Sequence, residues 1–156
     1  MTVPTIEDKL RQMGLELPEP PKPVASYVPC VRTGNLVFVS GQIAREKGVL
    51  RFSGHVGGNL TLEEGKQAAR LCALNALSAV KQEVGSLERI RRIVKLTGFV
   101  ACAAGFLDQP KVVDGASVLL IELFGEKGQH ARAAVGVSEL PLGSAVEVEM
   151  IVEIEP

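Results

Sequence analysis

The feature that most constrains the fold is one long helix whose beginning and end are both encoded by local signals. Thr61-Leu62-Glu63-Glu64 is a capping box and Gly85 provides a C-terminal stop, so the pattern predicts a helix that runs to about Val84. Its buried face is broad and includes Ala68, Leu71, Cys72, Asn75 and Ala79. A helix with such a face must bury it against a second layer of structure.

Strand patterns on both sides of this helix supply that layer. The predicted strands are Tyr27–Arg32, Leu36–Ser40, Ile90–Ala101, Ala133–Val137 and Ala145–Ile154. A second helix is predicted to begin at Asp108-Gln109-Pro110 and to end at Gly125. The order ββ(β)αβαββ predicts an α+β fold in which two helices cover one face of a mainly antiparallel sheet.

Two of these strands carry more detailed expectations. Leu36–Ser40 is nearly all apolar, which is typical of a central strand covered on both faces, and Ser40-Gly41-Gln42 is predicted to end it. Gly41 would let the backbone come close to a ligand or to another chain. Along Ile90–Ala101, alternation predicts one face with Val94, Leu96 and Val100 and another with Lys95, Thr97 and Phe99. Nothing in the chain covers the second face, which predicts self-association.

The N-terminal segment has a different character. Residues 3–13 predict a short amphipathic helix, because Ile6, Leu10 and Met13 are spaced three and four apart. Leu17–Pro23 contains four prolines and predicts an extended arm. The predicted organisation is therefore a helix and arm over residues 1–23 and one α+β domain over residues 24–156.

Composition excludes several classes of function. The charges nearly cancel, with 17 Lys and Arg against 18 Asp and Glu, and there is no Trp and a single Tyr. Both facts argue against nucleic-acid binding, and the basic cluster Arg89, Arg91, Arg92 and Lys95 is expected to be a solvated connection. No apolar run is long enough for a membrane span. Three cysteines, an odd number without metal-like spacing, suit a reducing cytoplasm.

The remaining reactive side chains give one informative position. His55 and His130 lack the spacing of metal ligands, and no nucleotide-binding motif occurs, so no metal or cofactor is predicted. Arg132 begins an apolar strand and therefore needs an anionic partner. That partner is either a structural carboxylate such as Glu147 or a small carboxylate ligand held by the guanidinium fork, and the residues alone leave both open.

Cysteine catalysis has weak support in the sequence. Cys72 lies on the buried face of the long helix and Cys102 follows an apolar strand, so both are expected to be inert core residues. Cys30 could approach a site beside Tyr27, but the sequence offers it no partner histidine.

Two motifs resemble a known family. Gly34-Asn35-Leu36-Val37-Phe38-Val39-Ser40-Gly41-Gln42 resembles the early hairpin of the Rid (YjgF-type) enamine/imine deaminases, formerly named endoribonuclease L-PSP. Ala131-Arg132 followed by Val135, Leu140-Pro141 and Val146-Glu147-Val148-Glu149 resembles the closing motif of that family. The resemblance extends from about Val24 to Ile154 and implies a chorismate-mutase-like fold that assembles as a homotrimer with clefts between subunits.

The resemblance also implies an activity and roles for residues. Family members hydrolyse 2-imino acids, such as 2-iminopropanoate and 2-iminobutanoate, to 2-oxo acids and ammonia without a cofactor. By position, Arg132 would clamp the substrate carboxylate and Glu147 would position or deprotonate the attacking water. Tyr27 and Ser40 would line the pocket, with the amide of Gly41 nearby. A family asparagine falls around Asp114-Gly115, and His130 stands where the family usually has proline.

Two other functions remain open at this stage. A non-catalytic regulatory trimer that binds small carboxylates would keep Arg132 and would not need Glu147. An endoribonuclease or translation inhibitor, a description that relatives have carried, is disfavoured by the near-neutral charge and the scarcity of aromatic residues.

Overall fold

Three helices form where the local signals indicate. The computed structural model describes residues 2–22 and 26–156, and its helices are α1 (Ile6–Gln12), α2 (Leu62–Val84) and α3 (Gln109–Phe124). The capping box of α2 is formed: Thr61 Oγ1 accepts from the Glu64 amide, and Gly85 ends the helix with φ at 93°. The predicted bounds of α2 and α3 and the short N-terminal helix are confirmed.

The strands form one five-stranded sheet and a separate small hairpin. The large sheet contains β1 (Cys30–Thr33), β2 (Leu36–Ile43), β5 (Ile90–Ala101), β6 (Ala131–Val137) and β7 (Val146–Ile154) in the order β1-β2-β7-β5-β6. The small hairpin contains β3 (Arg45–Glu46) and β4 (Val49–Leu50). Neighbouring strands of the large sheet are antiparallel except β5 and β6, which α3 connects as a parallel pair. The predicted α+β class is confirmed.

The core lies between the sheet and the two long helices and is mainly aliphatic. Alternate residues of β7 point into it, namely Val146, Val148, Met150 and Val152. They meet α2, whose small side chains Ala69, Ala73 and Ala76 are fully buried and keep the helix close to the sheet.

The N-terminal segment packs against the same core. Ile6 and Leu10 of α1 are buried in it, and the Ile6 amide donates to a carboxylate oxygen of Glu88 over 2.6 Å. Ser78 Oγ on α2 donates to the Pro18 carbonyl over 2.6 Å, so the proline-containing segment is also fastened to the domain. Pro23 and the predicted boundary at residue 24 lie outside the described residues.

Three predictions about β1 and β2 are wrong. The first strand was expected from Tyr27 and begins at Cys30. The second does not end at Ser40-Gly41-Gln42 but continues to Ile43 through a bulge between Val39 and Gln42. Nor is β2 covered on both faces by this chain, because the side of the strand with Phe38 is exposed.

The face assignment along β5 needs one correction. Val94 was expected in the core, but a register shift between Ile93 and Lys95 gives the buried position to Ile93. From Leu96 onward the alternation is as predicted. The opposite, open face of the sheet carries exposed Val31, Phe38 and Val135 beside partly buried Thr97, Phe99 and Ile151. The uncovered apolar face predicted from the sequence is therefore present.

Candidate active site

Gly41 and Glu147 come into close contact where β2 bulges against β7. A Cβ atom added to Gly41 would lie 2.5 Å from Glu147 Oε1 and 2.9 Å from its Cδ. Any side chain at this position would therefore displace the carboxylate. The close approach predicted for Gly41 is thus made to Glu147 of the same chain.

Ser40 connects this contact to the segment that carries Tyr27. Ser40 Oγ donates to the Val28 carbonyl over 2.7 Å, and the Ser40 amide donates to the Pro29 carbonyl over 2.8 Å. Tyr27 itself is 57% exposed. Ser40 also lines a depression of about 400 Å³ on the open face of the sheet. We call Ser40, Gly41 and Glu147 the open-face cluster; Tyr27 comes one residue before Val28, whose carbonyl accepts from Ser40.

The Glu147 carboxyl has the properties of a proton acceptor. The side chain is half-buried, and burial, with a further contribution from the negative charge of Glu149, raises the pKa of its carboxyl above the usual 4.5. Among residues 2–22 and 26–156, no side chain forms an ion pair or hydrogen bond with this carboxylate. A carboxylate with a raised pKa and no resident partner is suited to take a proton from a bound water.

Arg132 lies elsewhere. Its register partner on β5 is Leu96, so its side chain points to the face of the sheet that the helices cover. Arg132 Nη1 donates to Asp114 Oδ1 over 2.7 Å and to Ser117 Oγ over 3.2 Å, both on α3. The structural partner suggested from the sequence, Glu147, is wrong. Glu147 pairs with Phe99, whose side chain points to the other face.

A histidine extends the network around Arg132. His130 Nδ1 lies 2.6 Å from the Gly128 carbonyl, which can only accept, so this nitrogen carries the proton. In the neutral imidazole, His130 Nε2 then accepts from Ser117 Oγ, 2.9 Å away, and the Ser117 oxygen in turn accepts from Arg132. We call Asp114, Ser117, His130 and Arg132 the arginine cluster.

Sequence reasoning missed Ser117. Its only signal was helical spacing: Ser117 lies three residues after Asp114 in a predicted helix, and such residues share a face. In the sequence, His130 lacks the spacing of a metal ligand, and both His130 and Asp114 occupy positions that differ from the family pattern.

The two clusters cannot meet within one chain. Leu96 and Phe99, their register partners on β5, are three residues apart, which is roughly 10 Å along the strand. β6 and β7 flank β5 on opposite sides, which adds about two strand spacings of ~4.8 Å each. Arg132 and Glu147 also point to opposite faces, so one small ligand cannot contact both within a single subunit.

The other candidate groups have structural roles. Cys72 is fully buried, its thiol donates to the Val146 carbonyl over 3.3 Å, and burial raises its pKa well above the usual range. Burial also raises the pKa of Cys30 to about 12. Arg89 of the basic cluster donates to the Val84 and Glu155 carbonyls. No helix in the described part of the chain is long and apolar enough to cross a membrane.

The fold and the two clusters define a class of protein: an α+β subunit with an uncovered sheet face and two complementary polar clusters. Residues 7–154 match the family described as "YjgF/chorismate_mutase-like, putative endoribonuclease". The chain belongs to this YjgF family, and the Rid (YjgF-type) resemblance and chorismate-mutase-like fold are confirmed.

Individual relatives agree with this assignment. The chain is 42% identical over 146 residues to Protein TCP17 of Trypanosoma cruzi, which covers 93% of this chain and 91% of that protein. It is 31% identical over 141 residues to a 2-iminobutanoate/2-iminopropanoate deaminase of Dermatophagoides farinae, covering 90% and 95%. The crystal structure of Atu1372 from Agrobacterium tumefaciens, a protein of unknown function, has a TM-score of 0.91 at 44% identity and covers 96% of this chain and 92% of its own.

Proposed function

We propose that this protein hydrolyses 2-imino acids to 2-oxo acids and ammonia at sites shared between the subunits of a homotrimer. Each site would combine the open-face cluster of one subunit with the arginine cluster of its neighbour. The observation that carries this proposal is the position of Arg132 and Glu147 on opposite faces of one sheet. The deaminase relative at 31% identity supports the reaction class.

The chemistry needs only groups that the chain possesses. Arg132 binds the substrate carboxylate through the N–H groups that Asp114 and Ser117 leave free. Glu147 takes a proton from water as its oxygen adds to the carbon of the protonated imine, whose C=N electron pair moves to nitrogen. Glu147 returns this proton to the nitrogen of the resulting carbinolamine, and the C–N bond then breaks as the hydroxyl group gives its proton to Glu147, so ammonia leaves and the C=O bond of the 2-oxo acid forms.

The direct test is a coupled assay with the purified protein. An amino-acid oxidase generates imines from several amino acids, and residual imine is trapped as its semicarbazone and measured. Wild type should accelerate imine loss, whereas Arg132→Ala and Glu147→Gln should not, and the exposed Arg91→Ala serves as a matched arginine control. Wild-type rates for Arg132→Ala would contradict the assignment of Arg132.

One observation favours a second candidate, a trimer that binds small carboxylates without catalysis. Arg132 already binds one carboxylate, that of Asp114. In a regulatory site without ligand, such an internal carboxylate could occupy the arginine until a small carboxylate ligand binds. This candidate requires 2-oxo acid binding that depends on Arg132, no imine hydrolysis, and no effect of Glu147→Ala on binding.

A further inference from the structure

From the hydrogen bonds around Arg132 we infer that His130 is a positioning residue: acting through the Ser117 hydroxyl, it fixes the orientation of the Arg132 guanidinium group. The proposed chemistry uses Arg132 and assigns no role to this histidine, which lies two residues earlier in the chain. The kinetic consequences of the inference rest on the proposed function, whereas the orientation of the guanidinium can be measured without it.

Two acceptors contact the same nitrogen of Arg132. Nη1 donates to Asp114 Oδ1 over 2.7 Å and to Ser117 Oγ over 3.2 Å. Both N–H bonds of this nitrogen lie in the guanidinium plane, so two acceptors fix that plane, whereas one alone would let the group rotate about a single hydrogen bond. The directions of Nε and Nη2 therefore depend on Ser117 as well as on Asp114.

Burial makes Ser117 the firmer of these two restraints. The Asp114 side chain is 48% exposed, so its bond to Arg132 competes with water. Ser117 is 7% exposed and His130 is partly buried, so water does not readily replace either partner of the hydroxyl group. The contact from Ser117 is accordingly expected to contribute strongly to the orientation of the guanidinium.

The Ser117 oxygen can accept from Arg132 only if its own proton points elsewhere. A serine inside a helix can donate that proton to the carbonyl four residues earlier, which for Ser117 is the carbonyl of Val113. Ser117 Oγ instead lies 2.9 Å from His130 Nε2, and in the neutral imidazole this nitrogen accepts the proton. A lone pair of the oxygen is then left for Arg132. Without His130, the hydroxyl could turn to the helix backbone and the contact with Arg132 would weaken.

The imidazole is itself held against α3. His130 Nδ1 donates to the Gly128 carbonyl over 2.6 Å. Gly128 is buried against the helix, because a Cβ atom added to it would clash with the Leu120 carbonyl and would lie 2.9 Å from Ile121 Cα. Ser117 lies about one turn before Leu120 on the same helix. Both hydrogen bonds of the ring therefore end on α3 or on the turn packed against it, which fixes the acceptor that Ser117 needs.

Two substitutions of His130 separate a positioning role from a structural one. His130→Gln keeps an acceptor near the position of Nε2 for Ser117 and loses the bond to Gly128. His130→Asn keeps a donor near the position of Nδ1 for Gly128 and is too short to reach Ser117. Ser117→Ala removes the connecting hydroxyl itself. A structural role predicts that function follows the Gly128 bond and thermal stability, whereas a positioning role predicts that function follows the acceptor for Ser117.

The test measures imine hydrolysis and the mobility of the guanidinium in the assembled protein. Ser117→Ala and His130→Asn should raise KM about tenfold with kcat within about twofold of wild type, because Arg132 binds the substrate in both the ground state and the transition state. His130→Gln should stay within about threefold of the wild-type KM. The double variant of Ser117→Ala and His130→Asn should be no worse than Ser117→Ala, since the histidine acts through the serine. Gln129→Ala, an exposed neighbour, is the matched control.

Mobility is read from the NMR order parameter of the Arg132 Nε–Hε bond, a signal identified by its loss in Arg132→Lys. It should fall in Ser117→Ala and His130→Asn and be retained in His130→Gln. A wild-type KM in His130→Asn, an equal loss in His130→Gln and His130→Asn, or additive effects in the double variant would each overturn the inference while an active wild type upholds the proposed function. If the wild type does not hydrolyse imines, the proposed function is overturned, and the order parameters alone decide the inference: the expected pattern supports it and unchanged values overturn it.

Discussion

The shared site can be tested by combining two inactive variants in one assembly. Arg132→Ala removes the guanidinium group that would bind the substrate carboxylate and leaves Glu147 intact. Glu147→Gln removes the proton acceptor and leaves Arg132 intact. If one subunit provides Glu147 and its neighbour provides Arg132, a mixed trimer can contain a site with both wild-type residues. If each subunit has its own complete site, no mixture can.

The expected magnitude follows from ring symmetry. A cyclic trimer has three directed interfaces, and any mixed ring contains one interface at which Arg132→Ala contributes Glu147 and Glu147→Gln contributes Arg132. Mixed trimers should therefore show about one third of the wild-type rate, whereas mixed dimers with two sites would show about one half. Because the two clusters are far apart within one subunit, a single chain cannot restore activity by combining its own Arg132 with its own Glu147.

The assay is co-expression of the two variants with different affinity tags and purification on both tags in sequence, which retains only mixed assemblies. Their mass is measured, and the imine-removal rate is compared with those of the two single variants and of two differently tagged copies of Arg132→Ala. A rate for mixed trimers no higher than for the single variants, with wild type active in parallel, would refute the shared site.

Three further predictions follow from the same contacts. Arg132→Lys should lose most activity at unchanged thermal stability, because an ammonium group cannot reproduce the planar guanidinium fork, which bonds Asp114 with one nitrogen and keeps other N–H groups for a ligand carboxylate; near-wild-type turnover contradicts this. Gly41→Ala should keep the fold but lower kcat about 100-fold, since its Cβ would force the Glu147 carboxylate to move; a circular dichroism melt and the imine assay measure both, and unchanged kcat would show that the position of the carboxylate is unimportant. The pKa of the Glu147 carboxyl is raised in the folded protein, so as pH increases this carboxyl loses its proton in the unfolded chain before it does so in the folded one. The free energy of unfolding therefore falls as pH rises from the usual 4.5 through the raised value. Glu147→Gln should remove this loss, giving a higher Tm than wild type above that window and no gain below it; a Tm difference independent of pH would contradict the assignment.

The parts of the fold that follow from sequence are those fixed by nearby residues. The α2 helix could be predicted from Thr61 to Gly85 because its capping box and its stop each act within a few residues. The bulges at Val39–Gln42 and Ile93–Lys95 could not, because they arise where β2 and β5 are paired with β7, far along the chain. Alternation in one strand carries no information about such a register shift.

The candidate site also depends on pairing between distant parts of the chain, which the sequence does not reveal. Arg132 and Glu147 lie on strands that follow each other in the chain, which made an ion pair between them a reasonable expectation. Whether two such residues meet depends on which strands are neighbours and on which face of the sheet each side chain points to. In this sheet β5 lies between β6 and β7. That insertion directs Arg132 to α3 and leaves Glu147 without a partner in the described chain. A half-buried carboxylate with a raised pKa, in contact with a glycine at which a Cβ atom would displace it, is difficult to explain by stability alone. The uncovered sheet face next to it offers the explanation: a second subunit that covers Phe38 and Phe99 would bring its own polar groups to Glu147.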